Sequence, residues 1–115
     1  MVKPELRSPL TVQKVNGIIR AAGLPISTSR TTAVKGWHET SSGYRVTRSY
    51  EEKPAYPVNI RWQFSTMQKY DYVYERAQLQ KVADHLRIVH GLDAMTTFGS
   101  NNLVQVRYKD ADPTA

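Results

Sequence analysis

The sequence predicts an α+β fold, a two-layer sandwich with two helices on one face of a three- or four-stranded, mostly antiparallel sheet. One long segment, residues 69–91, repeats its apolar residues at helical spacing. Two shorter segments, 58–64 and 103–108, alternate apolar and polar residues, as strands do when one face is covered and the other is wet. The elements follow the order α-(β)-β-β-α-β, and we expect both helices on the apolar face of the sheet.

The segment 69–91 is the longest regular element of the chain. At 100° per residue, most of its apolar side chains fall on one side of a helix. Gly91 follows the last of them, at a position where glycine adopts the left-handed conformation at low cost. We therefore predict a helix whose apolar side lies against the sheet. That side comprises Tyr72, Leu79, Val82, Ala83, Leu86 and Val89.

A second helix is predicted near the N-terminus. Ser8 is a suitable N-cap, and Pro9 suits the first helical position because its missing N–H would have no partner there. Gly23 and Pro25 indicate where the helix ends. Residues 1–8 and 109–115 are predicted to be tails of a single domain, 1–115. The apolar positions of this helix are Val12, Val15, Ile18, Ile19 and Ala22.

Three strands are predicted with defined faces, at 44–48, 58–64 and 103–108. Residues 50–57 contain two prolines, which exclude a regular ladder and predict a loop. The sequence leaves open whether residues 27–40 form a loop or contain a short strand at Thr31–Lys35. If the last two strands lie parallel, the connection between them is a right-handed crossover. The inward residues are Tyr44, Val46, Val58, Ile60, Trp62, Phe64, Val104, Val106 and Tyr108.

Parts of the chain resemble a known group of proteins. A first helix that ends in glycine, IIRAAGLPIST, is followed by a Gly-Trp-His segment that leads into a Gly-Tyr-x-Val strand. This arrangement resembles small uncharacterised proteins encoded by phages of actinobacteria. The resemblance implies a phage origin and a place in the host cytoplasm, and it implies no particular activity. The matching residues are Gly36, Trp37, His38, Gly43, Tyr44 and Val46.

Composition narrows the classes of function. The chain has no cysteine, which excludes disulfides, thiolate metal sites and a cysteine nucleophile. No apolar run approaches the roughly 18 residues of a membrane span, and the N-terminus lacks an apolar signal core, so we expect no membrane partner and no export through a signal peptide. Residues 1–50 carry eight lysines and arginines against two acids, whereas residues 51–115 carry eight of each sign. This asymmetry favours an anionic partner.

Motifs of enzyme and metal sites are absent from the sequence. There is no HExxH, GxxxxGK[ST] or GxSxG pattern, and His85 and His90 fall about 140° apart on a helical wheel. Dipole compensation at a helix start explains Asp71 and Glu75 better than acid–base catalysis. We therefore expect no metal, no cofactor and no enzymatic activity, although an active site dispersed along the chain would escape pattern reading.

Three arginines are predicted on the solvent-exposed face of the sheet. Arg45, Arg61 and Arg107 all point outward, among amides and a threonine and without an acid. Such a face suits phosphate groups and predicts a nucleic-acid-binding module. The alternatives are a solvated surface and contact with an acidic protein. The segment 30–48 adds Arg30, Lys35, Trp37 and Arg48 to the predicted partner-binding residues.

The back of the long helix carries a second candidate surface. Tyr70, Tyr74 and Ile88 lie opposite the core side of the wheel, which predicts a contact patch for a homodimer or a protein target. The alternative is that the N-terminal arm or the 50–57 loop covers it. The function expected first is that of a non-enzymatic phage-type protein that binds a macromolecule, foremost a protein; nucleic-acid binding is the alternative.

Overall fold

The computed structural model describes residues 9–31, 38–51, 55–99 and 101–109. The described part contains two helices and six strands. The helices are α1 (Val12–Ala21) and α2 (Tyr72–Ile88), and the strands are β1 (Ser29–Thr31), β2 (His38–Thr40), β3 (Gly43–Arg48), β4 (Val58–Gln63), β5 (Asp93–Thr97) and β6 (Leu103–Arg107).

Four strands form the main sheet, in the order β3-β4-β6-β5. Every neighbouring pair in it is antiparallel, and β1 and β2 form a separate antiparallel hairpin. The predicted α+β sandwich with a mostly antiparallel sheet is confirmed. Because β4 and β6 are antiparallel, the connection between them is not the right-handed crossover that a parallel pair would require.

The strand β5 was not predicted. Its inward positions are Ala94, which is small, and Thr96, which is polar, so the alternation in Asp93–Thr97 is weak. Alanine and aspartate are also uncommon in strands. The strand forms because it pairs along its length with β6, which the sequence does predict. Its presence adds a fourth strand and changes the composition of the outer sheet face.

The core lies between the inner face of the sheet and both helices. The inward residues Val58, Ile60 and Trp62 of β4 are buried, as predicted, together with Val104 and Val106 of β6. Val46, Phe64 and Tyr108 are partly buried and pack against this core. One cluster joins these strands to the helices, through Val15 and Ile19 of α1 and Leu79, Val82, Ala83 and Leu86 of α2.

Two residues predicted on the core side of α2 are exposed instead. Tyr72 is the first helical residue, and its ring lies against the guanidinium of Arg76 rather than the sheet. Val89 is the C-cap, beyond the last turn that packs on the core. Asp71 is the N-cap and accepts from the backbone N–H groups of Val73 and Tyr74. Gly91 has a φ of 63°, which confirms the left-handed position predicted for it.

The start of α1 differs from the prediction. Thr11 is the N-cap, and its hydroxyl accepts a hydrogen bond from the N–H of Lys14 at 3.1 Å. The predicted N-cap, Ser8, lies outside the described residues, and Pro9 precedes the helix. Ser8, Pro9 and Thr11 all suit a helix start and lie within four positions. The local sequence alone therefore does not determine which of them begins the helix. Gly23, with a φ of 75°, ends the helix as predicted.

The β1–β2 hairpin answers the open question about residues 27–40. A short strand is present at Ser29–Thr31, whereas all of the predicted strand Thr31–Lys35 except Thr31 lies outside the described residues. The chain before it, Pro25–Ser27, runs alongside β3 through two backbone hydrogen bonds with Tyr44. Gly43 permits this approach, because a Cβ there would lie 2.5 Å from the backbone nitrogen of Ser27. The hairpin therefore projects from the end of the sheet where β3 begins.

Candidate macromolecule-binding surfaces

Two of the predicted arginines meet on the outer face of the sheet. Arg45 of β3 and Arg61 of β4 are direct cross-strand partners, and both are exposed. Directly opposite residues in an antiparallel pair have Cβ atoms about 5 Å apart, so two like charges there repel each other. Among the described residues, neither arginine has an acidic partner. The pair is thus a concentrated, uncompensated positive charge.

Arg107 lies elsewhere on this face and is compensated. Its Nε donates to Oδ2 of Asp93 at 2.8 Å, and Asp93 is its cross-strand partner in β5. The Tyr56 hydroxyl donates to the same oxygen, and the Tyr56 ring lies 4.5 Å from the guanidinium carbon. The hydrogen bond to Asp93 raises the pKa of Arg107. The prediction of an outer face without an acid was wrong, because β5 was missed.

The other predicted basic residues do not join the Arg45–Arg61 pair. Arg48 is exposed at the far end of β3, on the side of the strand that Tyr44 and Val46 occupy. The backbone of Arg30 lies in β1, opposite Glu39. Lys35 and Trp37 lie outside the described residues, so the prediction that they belong to this site is not tested. The structure therefore brings together two of the predicted basic residues.

A row of aromatic rings runs from the core to the surface at the N-terminal end of α2. Tyr44 packs edge-on against Trp62 with ring centroids 5.0 Å apart, and Trp62 packs against Tyr74 at 5.7 Å. Phe64 continues the row to Tyr70 at 5.5 Å. The inner rings are buried, while Tyr74 is 41% and Tyr70 66% exposed. Rings on the surface are thus held by rings in the core.

Beside this row, an arginine lies between two further rings. The guanidinium carbon of Arg76 is 5.4 Å from the centroids of both Tyr72 and Phe98. Both rings are exposed, and Val73 beside them is exposed too. Arg76 Nε is buried without a hydrogen-bond partner, and Arg76 has no acidic partner among the described residues. We call the whole surface the aromatic end; it comprises Tyr70, Tyr72, Val73, Tyr74, Arg76 and Phe98.

The acids at the aromatic end are already engaged within the chain. Asp71 caps α2, with its Oδ1 3.1 Å from the nitrogen of Val73. Glu75 Oε1 accepts from the Tyr70 hydroxyl at 3.0 Å and from the side-chain amide of Asn102. The hydrogen bond to Glu75 is the main reason that the pKa of Tyr70 is raised. Neither carboxylate forms an ion pair with Arg76 in the described part of the chain.

Ile88 does not belong to the aromatic end. It is 81% exposed and lies fourteen residues after Tyr74, which is about 21 Å along a helix axis. The predicted patch of Tyr70, Tyr74 and Ile88 is therefore not one surface. The wheel gave the three residues a common angle but ignored their separation along the axis. Four members were missed: Tyr72, Val73, Arg76 and Phe98. The aromatic run YDYVY and the phenylalanine before Gly99 were signals for three of them, and no sequence pattern singled out Arg76.

The histidines at the end of α2 and just after it correct another expectation. The rings of His85 and His90 lie 5.2 Å apart, because His90 follows the end of the helix and the 140° wheel separation no longer applies. Across the described ranges, no group of three histidines, cysteines or acids is placed to hold a metal ion. In the same part of the chain, no helix is long and apolar enough to cross a membrane.

In comparisons with known proteins, no family model, no curated protein and no solved structure matches the chain. The candidate surfaces therefore rest on their own geometry.

Proposed function

We propose that this chain acts by binding an acidic protein through the aromatic end. The observation that carries the proposal is the arrangement of Arg76 between Tyr72 and Phe98, beside rings that Phe64 and Trp62 hold in place. Tyrosine and arginine are the side chains most often found at the energetic centres of protein interfaces. The resemblance to actinobacteriophage proteins supports a target in the cytoplasm of such a host.

The side chains of this surface are already largely ordered in the free protein, so binding costs little further conformational entropy. An exposed aromatic side chain that must be immobilised in a complex loses about 0.5–1.5 kcal/mol of rotamer entropy. Tyr74 is already held against Trp62 and Phe64, and Tyr70 against Phe64 and Glu75. A partner that covers these rings therefore gains the burial of their exposed area with little further ordering.

Charge supports an acidic partner rather than a neutral one. The Arg76 guanidinium lies near two rings and has no ion-pair partner among the described residues, and guanidinium groups suit contact with a carboxylate. Asp71 and Glu75 keep their negative charge, but their oxygens accept hydrogen bonds from other groups of the chain rather than from Arg76. The Arg45–Arg61 pair adds positive charge that would increase the rate of encounter with an acidic surface.

A comparative pull-down from actinobacterial host lysate tests the proposal. The bait is the full chain, and the variant is the double substitution Tyr72→Ala with Arg76→Ala. The matched control is Arg48→Ala with Tyr50→Ala, which removes the same two residue types from exposed positions at the other end of β3. We expect an acidic protein that the wild type and the control retain and the variant loses, with an affinity at least about 30-fold weaker for the variant.

Circular dichroism and thermal melting confirm that both double variants are folded. A protein that binds the variant and the control equally well would contradict the proposal, and so would a captured protein whose binding depends on Arg48 and Tyr50. Binding that disappears after nuclease treatment would instead direct attention to the sheet face.

Nucleic-acid binding is the second candidate, and the Arg45–Arg61 pair is the observation that favours it. Two exposed arginines lie side by side without an acid among the described residues. Phosphates along one strand are evenly spaced anions, which neighbouring guanidinium groups contact well. The rings of Tyr44, Trp62 and Tyr74 lie on the other side of the sheet, and the ring of Tyr56 lies against Arg107 rather than against the Arg45–Arg61 pair, so no described ring next to the pair supports base stacking.

A salt titration with unrelated DNA and RNA oligonucleotides tests the second candidate. If the pair contacts phosphates, Arg45→Ala with Arg61→Ala lowers the slope of log affinity against log salt by about two on duplex DNA. Arg20→Ala with Arg87→Ala removes two exposed arginines from the helices and should change the slope less. Binding that is equal in both double variants, or absent in the wild type, would exclude this role for the sheet face.

A further inference from the structure

A cavity lies at the end of the molecule opposite the aromatic end. It has a volume of about 500 Å³ and is open to solvent. Three parts of the chain line it: α1, the turn that follows α2, and the segment that follows β6. Its lining residues are Lys14, Ile18, His90, Gly91, Leu92, Tyr108 and Lys109.

The polar groups of the cavity are mostly hydrogen-bond donors. Lys14 and Lys109 come from elements far apart in sequence, and both are exposed. His90 and Tyr108 also contribute to the lining, and none of the lining residues that the structure describes is acidic. Two ammonium groups without a carboxylate among these described residues favour an anion, and an ammonium group contacts carboxylate or phosphate oxygens as a point charge. The charge of the cavity therefore selects for a negative head group.

The two apolar side chains of the lining belong to the core or pack against it. Leu92 is buried, and Ile18 is partly buried and packs against the core cluster. The volume falls within the range of roughly 300–1,000 Å³ that small-molecule sites occupy. Ligand sites of that kind combine an apolar wall with a few polar groups that fix orientation. The wall formed by Ile18 and Leu92 suits an apolar body attached to the anion.

We propose that this cavity binds a small amphipathic anion, with a carboxylate or phosphate at Lys14 and Lys109 and an apolar body against Ile18 and Leu92. The site does not depend on the proposed protein-binding function, because it shares no residue with the aromatic end. A ligand here would contact α1, the turn after α2 and the end of β6 together.

Titration of the full chain with four probes, followed by amide chemical shifts, tests the site. Benzoate and phenyl phosphate have both the anion and the apolar body; benzamide lacks the charge and inorganic phosphate lacks the ring. We expect saturable shifts at Gly91, Leu92 and Lys109 with the first two probes below about 10 mM, and affinities weaker by about ten-fold or more with the other two. Benzamide binding as tightly as benzoate would overturn the proposal, as would the absence of saturable shifts at these amides.

Lysine variants locate the anion. Lys14→Gln and Lys109→Gln are each expected to weaken benzoate and phenyl phosphate by about 2- to 5-fold, the range of an exposed ion pair. Lys81→Gln is the matched control, because Lys81 is exposed on α2 and does not line the cavity. An effect of Lys81→Gln equal to that of the two cavity variants would show general charge attraction and overturn the assignment. Phenyl phosphate and benzoate distinguish a phosphate from a carboxylate preference.

Discussion

The two ends of α2 both expose large apolar side chains, but they do so in different ways. At the N-terminal end, Tyr74 packs against Trp62 and Phe64, and Tyr70 packs against Phe64. At the C-terminal end, Ile88 is more exposed than either tyrosine and is not part of the aromatic row. Exposure alone therefore does not identify a binding surface. Rings that are exposed and also held in place by the core are the stronger candidates.

The largest change in the free energy of unfolding is expected in the last turns of α2, where a buried and an exposed residue lie on opposite sides of the helix. Leu86 is fully buried, so Leu86→Ala leaves a cavity and lowers the free energy of unfolding by roughly 2–5 kcal/mol. Ile88→Ala removes an exposed side chain and should change it by less than about 0.5 kcal/mol. Urea unfolding measures both. A loss at Ile88 as large as that at Leu86 would mean that Ile88 is covered, and the contrast between the ends would fail.

The pH dependence of stability tests the burial of Tyr44, the innermost ring of the aromatic row. Burial raises the pKa of Tyr44 to about 12, and its hydroxyl donates to the carbonyl of Gln78 at 2.6 Å. A tyrosine whose pKa is higher in the folded state stabilises that state below pH 10. The contribution is lost as the pH rises from about 10 to about 12. We expect urea midpoints to fall in this window, and to fall less in Tyr44→Phe. An equally steep fall in Tyr44→Phe would place the effect on other groups.

Truncating the middle of the row tests whether the surface rings are held by the core. Tyr74→Ala removes contacts with Trp62 and Phe64 and should lower the free energy of unfolding by about 1 kcal/mol, the scale of aromatic pair contacts. Val89→Ala, at the exposed C-cap of the same helix, is the control and should have a smaller effect. If the two variants have equal stability, Tyr74 is not anchored and the distinction between the two ends disappears.

The smallest change in the free energy of unfolding is expected for two arginines of the outer sheet face, and its sign should differ between them. Arg61→Gln relieves repulsion with Arg45 and should raise the free energy of unfolding by a few tenths of a kcal/mol at low salt, with the gain shrinking as salt screens the charges. Arg107→Gln loses the contact with Asp93 and should lower it, by up to about 1 kcal/mol. A loss of stability in both variants would show that Arg61 has a compensating partner.

The parts of the fold that the sequence predicts are those with strong periodicity. The alternation of Val58, Ile60 and Trp62 predicts which face of β4 is buried. The spacing of Leu79, Val82 and Leu86 predicts the buried side of α2. The weakly patterned β5 was missed because its pairing with β6, rather than its own residues, determines it. Missing Asp93 then left Arg107 wrongly unpaired on the predicted outer face.

Less of the candidate site than of the fold could be predicted from the sequence. A helical wheel describes angle and omits distance along the axis, so it placed Ile88 with Tyr70 and Tyr74. The position of Phe98 beside Arg76 depends on the β5–β6 connection, which no local pattern describes. Alternation in two predicted strands places Arg45 and Arg61 on the same outer face, but their direct pairing depends on the register between β3 and β4, which alternation does not determine.

Site-specific photo-crosslinking tests the central claim most directly. Benzoylphenylalanine replaces Tyr72 in one preparation of the full chain and Ile88 in another, and each is irradiated in host lysate. We predict a discrete adduct with an acidic protein from position 72 and none from position 88, with the first adduct reduced when Arg76→Ala is added. Adducts of equal yield from both positions, or an adduct from position 88 alone, would contradict the claim that the aromatic end is the binding surface.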